Sequence, residues 1–240
     1  LLNNEKIWHQ EGMYTPVQID ITGRAKSGDK LEVLIYPHPT APDSVPNSRD
    51  EARTSCKPPV TYGWDWNPHL LISGIWKPAY IETRKSDYIE NCEVFYELDL
   101  ENRIANVHFN VSCEAEFLCT ISDIDNKIIY SGKSTECVIK DVNLWWCNGE
   151  GDPYLYRWEI SNEKETKSGT LGFRRVRLLR NIGAKGPKEF PKSRYEAPIT
   201  LELNGRRIFA KGSNWVNPEL FFGRITDERY FEQVSAAKEA

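Results

Sequence analysis

A series of short segments between about residue 87 and residue 180 constrains the fold more than any other feature of the sequence. Apolar and polar residues alternate within each segment, and Asn, Asp, Gly or Ser residues separate one segment from the next. This period of two is typical of β-strands that bury one face. Seven such strands in about a hundred residues predict an immunoglobulin-like β-sandwich. The segments read "CEVFYELDL", "IANVHFNVSC", "EAEFLCTISD", "NKIIYSG", "TECVIKDV", "YLYRWEIS" and "GTLGFRRVRLL".

The six cysteines are predicted to be free thiols rather than disulfides or metal ligands. No C-x-x-C pair occurs, and the Cys…Trp…Cys signature of a disulfide-bonded immunoglobulin domain is not evident. Small apolar core residues are therefore the favoured interpretation, although Cys113 and Cys119 have the same strand parity and could share a face. The four histidines lie far apart along the chain, so a zinc site is not expected.

Charge and hydropathy exclude two classes of partner. The formal net charge is −4 with both signs scattered along the chain, so neither a nucleic acid nor a membrane surface is expected to bind. The apolar runs are too short to span a bilayer. No secretory signal is visible in residues 1–20, but the chain begins with Leu rather than Met. We therefore expect that the natural N-terminus lies further upstream, and the sequence assigns no compartment.

The first 84 residues are predicted to hold further β-structure around a proline-rich loop. Alternation predicts strands in "PVQIDIT" and "KLEVLIY", and "GIWKPAYIET" is typical of an edge strand because it contains a proline. Four prolines within "PHPTAPDSVPNS" predict an exposed loop, and "DEARTSC" predicts one helical turn. The aromatic content of 12% also favours β-structure.

The segment "YGWDWNP" places Trp64, Asp65 and Trp66 in a row and allows two interpretations. In the first, both indole rings are buried at a corner of a sandwich and Asp65 caps a turn. In the second, an indole ring lies beside a sugar, and the carboxylate accepts hydrogen bonds from two neighbouring hydroxyls. The chemistry of these residues alone favours the buried corner.

A second aromatic cluster, "NLWWCNGEGDPYLYRWEI", is predicted to pack within the sandwich rather than to bind a ligand. Other chemistry is not indicated by sequence motifs. The chain contains no nucleophile elbow, P-loop, dinucleotide-binding fingerprint or zinc-protease motif. Carboxylates are plentiful, but no two of them can be singled out as an acid and a nucleophile.

The C-terminal part of the chain changes character after a predicted linker, "NIGAKGPKEFPKS". Asn204-Gly205 predicts a two-residue hairpin turn within "ITLELNGRRIFAKGSNW", and we expect Asn214 and Trp215 at the end of its second strand. The segment "TDERYFEQVSAAKEA" predicts an amphipathic helix with Thr226 as its N-cap. A strand followed by a helix indicates the opening of an α/β domain.

Four motifs, in order along the chain, resemble landmarks of glycoside hydrolase family 2, and of its β-mannosidase branch in particular. They read "YGWDWNPHLLISGIWKPAYIE", "NLWWCNGEGDPYLY", "LGFRRVRL" and "GRRIFAKGSNWVNPELFFGRIT". The resemblance covers nearly the whole chain and implies a mainly β fold. It places the C-terminal part of a jelly-roll-like (galactose-binding-like) sandwich at 1–84 and an immunoglobulin-like sandwich at 85–188. A linker and the first β-α unit of a (β/α)8 barrel are expected at 189–240.

The same resemblance implies that this chain holds only part of an enzyme. A (β/α)8 barrel needs about 250 residues, so both catalytic glutamates of the family are expected beyond Ala240 and the chain itself is expected to be inactive. Trp64 and Asp65 match the family's terminal-sugar subsite. Asn214 and Trp215 match the first barrel strand, where a supporting role is expected. The implied partners are a β-mannoside and the remainder of the barrel, with no cofactor and no metal.

The implied function is that of the non-catalytic N-terminal portion of a retaining exo-β-mannosidase, which hydrolyses terminal β-linked mannose. Two departures from the family leave the sugar open: Asn67-Pro68-His69 stands where Gly-Pro-Arg is usual, and Glu219 aligns with an Asp. A related family member, such as an exo-β-glucosaminidase, is therefore an alternative. A stand-alone carbohydrate-binding protein and a purely structural immunoglobulin-like module are two others.

Overall fold

The computed structural model describes residues 1–55, 57–184 and 198–239, which form two compact units. The first unit combines Leu1–Ile81 with Asn214–Ala240, and the second is Glu82–Ser213. Cys56 and most of the predicted linker lie outside the described residues.

The regular structure is mostly β. The strands are β1 (Tyr62–Trp64), β2 (Asn67–His69), β3 (Asn91–Asp99), β4 (Ile104–Ser112), β5 (Leu118–Ser122), β6 (Ile128–Gly132), β7 (Glu136–Ile139), β8 (Tyr156–Ser161), β9 (Thr166–Leu171), β10 (Val176–Arg180), β11 (Ile199–Leu203) and β12 (Arg206–Ile208). Among the described residues, the helices are three short 3₁₀ helices, Arg49–Thr54, Pro59–Thr61 and Phe222–Arg224, and one α-helix, α1 (Asp227–Glu239). None of the described helices is long and apolar enough to cross a membrane.

The second unit contains the predicted seven-stranded sandwich. Its two antiparallel sheets have the strand orders β3-β4-β7 and β6-β5-β8-β9. Buried and exposed residues alternate along β4, as a strand with one covered face requires. The prediction of a seven-stranded, immunoglobulin-like sandwich is confirmed for this unit, and the strands divide into sheets of three and four.

The core of the second unit lies between the two sheets. Side chains from both inner faces enclose Phe109 and Phe173 almost completely. The hydroxyl of Tyr96 accepts a hydrogen bond from the backbone N–H of Arg174 at 3.0 Å, and it donates to the carbonyl of Gly172 at 3.0 Å. This hydroxyl therefore joins β3, in one sheet, to the chain that leaves β9 in the other.

The five described cysteines are free thiols, as the sequence predicted. Cys119 is completely buried in β5, and burial raises the pKa of its thiol to about 11. Burial likewise raises the pKa of Cys137, in β7, to about 11. Thiols that are protonated at neutral pH are poor nucleophiles, so these two residues act as core packing groups. The five residues are Cys92, Cys113, Cys119, Cys137 and Cys147.

A third sheet, β10-β11-β12, corrects one detail of the prediction. The segment "GTLGFRRVRLL" was expected to be one strand of the sandwich, but it divides into β9 and β10 at Gly172–Arg175. Strand β10 pairs with β11, and β11 pairs with β12. The predicted turn between β11 and β12 is confirmed, since Asn204 and Gly205 have φ values of 50° and 82°.

Asn204 ties this sheet to the sandwich through its side chain. The residue is only 8% exposed. Its Oδ1 accepts from the backbone N–H of Arg175 at 2.8 Å, and its Nδ2 donates to the carbonyl of Trp145 at 2.9 Å. Both ends of the amide are therefore used, and the positive φ is one that Asn adopts more readily than other side-chain-bearing residues.

The strands predicted before residue 84 in "PVQIDIT", "KLEVLIY" and "GIWKPAYIET" are not formed. A strand needs a neighbour that pairs its N–H and C=O groups and covers its apolar side. Within the described part of the first unit, these segments have no such neighbour beyond an isolated bridge between Leu2 and Leu31. Their apolar side chains consequently remain exposed, as at Val17, Ile19, Val33, Ile35 and Ile75.

The C-terminal part of the first unit packs against the segment around Trp76. A Cβ added to Gly223 would lie 2.7 Å from the Trp76 carbonyl oxygen, so the two backbones are in direct contact. Helix α1 follows and is confirmed, with Oγ1 of Thr226 accepting from the N–H of Arg229 at 3.3 Å. The strand predicted through Trp215 ends at Ile208, which is a second correction.

We predict that Asn204→Ala lowers the free energy of unfolding of the second unit by about 2 to 3 kcal/mol. Alanine leaves the partly buried N–H of Arg175 and carbonyl of Trp145 without the Asn204 side chain as a partner, and it adopts a positive φ less readily. Urea unfolding followed by circular dichroism measures the change. Asn148→Ala alters an exposed asparagine in another turn and should change stability by less than about 0.5 kcal/mol. Equal effects of the two substitutions would contradict the role of the Asn204 amide.

Candidate functional site

The segment that contains Trp64, Asp65 and Trp66 forms a small hairpin. Strands β1 and β2 pair antiparallel, with Tyr62 opposite His69 and Trp64 opposite Asn67. Asp65 and Trp66 are the two residues of the connecting turn. The hairpin therefore has a base at Tyr62 and His69 and a tip at the turn.

The base of the hairpin is held by a buried tyrosine. Tyr62 is fully enclosed, and its hydroxyl donates to the Pro39 carbonyl at 3.0 Å. The rings of His38 and His69 both meet the Tyr62 ring edge-on, with centroids 6.0 Å and 6.2 Å away. The N–H of Leu70 donates to the Thr61 carbonyl at 3.0 Å and extends the pairing by one bond.

A buried carboxylate lies on the other side of the base. Glu51, in the 3₁₀ helix Arg49–Thr54, is 8% exposed. Its Oε2 lies 2.9 Å from Nε2 of His69, and its Oε1 accepts from the backbone N–H of Asn47 at 2.7 Å. The hydrogen bond from His69, followed by that from Asn47, holds the pKa of Glu51 below its usual value. The side chain is therefore an ionised carboxylate with both oxygens engaged.

The tip of the hairpin is exposed. Trp64 is 41% exposed and Trp66 is 56% exposed, and Asp65 between them is exposed as well. The first interpretation, in which both indole rings are buried at a sandwich corner, is therefore wrong for the described structure. The two rings lie 5.7 Å apart at an interplanar angle of 57°. This arrangement leaves aromatic surface and a carboxylate open to solvent side by side.

A guanidinium that the sequence did not single out covers one face of Trp64. The Cζ atom of Arg49 lies 3.7 Å from the centroid of the Trp64 ring. Stacking uses the face of the guanidinium and leaves its in-plane N–H donors free to bind acceptors. The tip thus combines a hydrogen-bond donor, a hydrogen-bond acceptor and apolar ring surface. A sugar can bind to all three through its hydroxyls and the apolar faces of its ring.

The two predicted site residues near the C-terminus lie apart from this set. Asn214 and Trp215 are exposed and belong to no strand or helix. Among the described residues, no hydrogen bond or ring contact joins either of them to Trp64 or Asp65. The structure therefore brings together two of the four predicted residues and adds Arg49 to them.

The second aromatic cluster packs within the sandwich, as predicted. Tyr156 is buried, and Trp146, Tyr154 and Trp158 pack against the core. Gly169 lies directly under the Trp158 ring, where a Cβ would come within 2.5 Å of the indole. The cluster is thus structural. Across residues 1–55, 57–184 and 198–239, no three His, Cys, Asp or Glu side chains are grouped to hold a metal ion.

Comparison with known families gives a match for the N-terminal part of the first unit. Residues 1–77 match the family described as the glycosyl hydrolase 2 galactose-binding domain-like domain. This range contains the whole hairpin and the two residues that hold its base, Tyr62 and Glu51. The order of motifs along the remaining chain resembles that of the same family. Residues 1–77 therefore match a domain of glycoside hydrolase family 2, and the rest of the chain is similar in sequence to members of that family.

Curated relatives place the similarity within this family. The chain is 25% identical over 272 residues to the β-mannosidase B of Thermothelomyces thermophilus, which covers 100% of the chain and 30% of that protein. It is 26% identical over 271 residues to the β-mannosidase of Bos taurus, which covers 94% of the chain and 30% of that protein. The chain therefore spans about a third of the length of the relatives that it matches.

Among solved structures, a β-glucuronidase from an uncultured Clostridium species is similar over 51% of this chain and 18% of its own chain. The TM-score is 0.39 and the sequence identity is 20%. The similarity to glycoside hydrolase family 2 rests on sequence.

We predict that Trp66→Ala leaves the stability of the first unit almost unchanged, whereas Tyr62→Ala lowers it by about 3 to 5 kcal/mol. Removing a fully buried aromatic ring leaves a cavity, but an exposed ring at a turn has little packing to lose. Urea unfolding followed by tryptophan fluorescence measures both. A loss of several kcal/mol with Trp66→Ala would show that the ring belongs to a core after all.

Proposed function

We propose that this chain is the N-terminal, non-catalytic portion of a retaining exo-β-mannosidase, which removes terminal β-linked mannose from a larger substrate. The observation that carries the proposal is the hairpin tip, where Trp64 and Asp65 are exposed above a buried base. The similarity to β-mannosidases over almost the whole chain supports it. In this proposal the sugar is the partner of the first unit.

The proposal assigns three parts to the chain. Residues 1–84 would be the C-terminal part of the galactose-binding-like domain, and residues 85–188 the immunoglobulin-like domain. Residues 189–240 would be a linker and the first β-α unit of a (β/α)8 barrel. A retaining glycosidase needs an acid/base carboxyl and a nucleophile carboxylate about 5 to 5.5 Å apart. We expect both in the barrel, beyond Ala240.

Each proposed site residue has a role that follows from its chemistry. The Asp65 carboxylate accepts hydrogen bonds from neighbouring hydroxyls of the terminal sugar, since an ionised carboxylate has two acceptor oxygens. Trp64 walls the subsite with its ring. Asn214 and Trp215 support the subsite from the first barrel segment. No metal or cofactor takes part in the proposed reaction.

Two alternatives lead to different behaviour of the chain. An exo-β-glucosaminidase of the same family would use the same hairpin for a terminal glucosamine, and the Asn67-Pro68-His69 departure is the sequence feature that leaves this open. A stand-alone carbohydrate-binding protein would bind sugar without further domains. The exposed Trp64-Asp65-Trp66 tip suits either one, and the similarity to β-mannosidases favours the proposal over both.

We predict that Asp65→Ala in the longer protein containing this chain lowers kcat/KM for an aryl β-mannoside by about 100-fold or more. Each hydrogen bond to an ionised carboxylate contributes about 1.5 to 3 kcal/mol, and two would be lost. Steady-state kinetics with chromogenic mannoside, glucosaminide and galactoside substrates measure the change and the sugar preference. Asp20→Ala is the matched control, because Asp20 is an exposed turn aspartate of the same unit. Equal losses for the two variants would remove Asp65 from the site.

We predict that the 240-residue chain by itself releases no aryl alcohol from the same mannoside. The described residues offer the hairpin but no pair of carboxylates assigned to the two catalytic steps. A chromogenic assay at high protein concentration checks this, with the longer protein as the positive control. Turnover by the chain that survives repurification would mean that the catalytic groups lie within it.

A further inference from the structure

The hairpin is too small to hold its own tip in place. Each strand has three residues, and the pairing covers only two opposed residue pairs. Isolated two-stranded hairpins are marginally stable in water even when they are longer. The direction of Trp64 and Asp65 must therefore be set by contacts at the base of the hairpin.

Two contacts hold the base, and they differ in kind. On β1, Tyr62 is fixed by burial and by the hydrogen bond to Pro39. On β2, His69 is fixed by the carboxylate of Glu51, at 2.9 Å. Asn67 adds a hydrogen bond from Nδ2 to the Val60 carbonyl at 2.9 Å. Because β2 leads directly out of the turn, the Glu51–His69 contact sets the angle of the tip on that side.

The Glu51 carboxylate is also the group that closes the preceding loop. Its Oε1 accepts from the N–H of Asn47, and its backbone carbonyl accepts from the N–H of Ala41 at 3.2 Å. The same 3₁₀ helix carries Arg49, whose guanidinium stacks on Trp64. Glu51 thus contacts His69 in the strand after the tip and Asn47 in the loop before the tip. The helix that carries Glu51 also carries Arg49, which stacks on Trp64.

We propose that Glu51 and His69 are positioning residues for the sugar subsite, which orient the Trp64-Asp65-Trp66 tip through a charged contact at the base of the hairpin. This inference rests on the proposed sugar-binding function of Asp65. It gives a role to His69, one of the two residues at which the sequence departs from the Gly-Pro-Arg of the family. Neither residue touches the sugar.

The surroundings of the pair determine its pH dependence. His38 lies close enough to act electrostatically on both members of the pair, and Lys57 acts on His38. Asp50, Arg49 and Arg53 belong to the helix that carries Glu51. Burial, followed by the charge of Lys57, lowers the pKa of His38, and burial lowers the pKa of Lys57.

The sign of the pH dependence follows from Glu51. Its pKa is lowered from an ordinary value of 4.5, so the contact is present above that value and is lost as the pH falls through the lowered pKa of the folded state. An imidazole Nε2–H can donate to a carboxylate whether the ring is neutral or charged. The Glu51 carboxylate therefore produces an acid limit to positioning.

A double-mutant cycle between Glu51 and Asp65 tests this role in the longer protein. We expect Glu51→Gln to lower kcat/KM for an aryl β-mannoside by about 10-fold in the native background, because the tip is no longer oriented. In the Asp65→Ala background the same substitution should change kcat/KM by less than about twofold. His69→Gln, which keeps an N–H donor, should retain most of the activity. Arg53→Gln is the control, since Arg53 forms exposed ion pairs on the same helix.

Equal losses in both backgrounds would overturn the inference, because a residue that only stabilises the fold does not act through Asp65. No loss in either background would overturn it as well. If Glu51→Gln impairs folding, His69→Phe replaces it in the same cycle.

A second measurement separates this inference from the proposed function. In an Asp65→Asn background, which removes the carboxylate beside the rings, the indole N–H signals of Trp64 and Trp66 in the 240-residue chain, assigned by Trp→Phe substitutions, should shift as the pH falls from 7 through the lowered pKa of Glu51. The shift should vanish in Glu51→Gln. If the longer protein hydrolyses no aryl glycoside, the proposed function fails, and these signals alone decide whether Glu51 positions the tip. Signals that titrate identically in Glu51→Gln would contradict the positioning role.

Discussion

Burial of the base of the hairpin is the constraint on which the candidate site depends. Three residues per strand cannot define the direction of a turn, so the structure encloses Tyr62 completely and pairs His69 with an ionised Glu51. These contacts allow Trp64 and Trp66 to be exposed at the tip. Large apolar rings that face solvent next to a carboxylate are unfavourable for stability alone, and a ligand that covers them would offset that cost.

The two units differ in how far their structure follows from the sequence. In the second unit, each strand of the sandwich has a neighbour within the chain, so alternation predicts both the strands and their buried faces, as in β4. Asn204-Gly205 also predicts its own turn, because few residues adopt the required positive φ. In the first unit, Val17 and Val33 show the same alternation and form no strand, because pairing depends on a neighbour that alternation cannot specify.

The sequence likewise predicts some residues of the candidate site and not others. Trp64 and Asp65 were predicted as site residues through the resemblance to the family, because their chemistry alone favoured a buried corner. Arg49 and Glu51 were not, because a guanidinium and a carboxylate within "RDEART" are typical of any exposed helical turn. Only the fold shows that one of them stacks on Trp64 and the other is buried against His69. Asn214 and Trp215 remain a prediction, since the described contacts do not join them to the hairpin.

The structure of the longer protein with a bound, unreacted mannoside tests the central claim most directly. The proposal predicts that the Asp65 carboxylate lies about 2.5 to 3.2 Å from hydroxyls of the terminal sugar, with the Trp64 ring against the same sugar. A terminal sugar bound elsewhere, with Asp65 still facing solvent, would contradict the assignment of this hairpin to the sugar subsite.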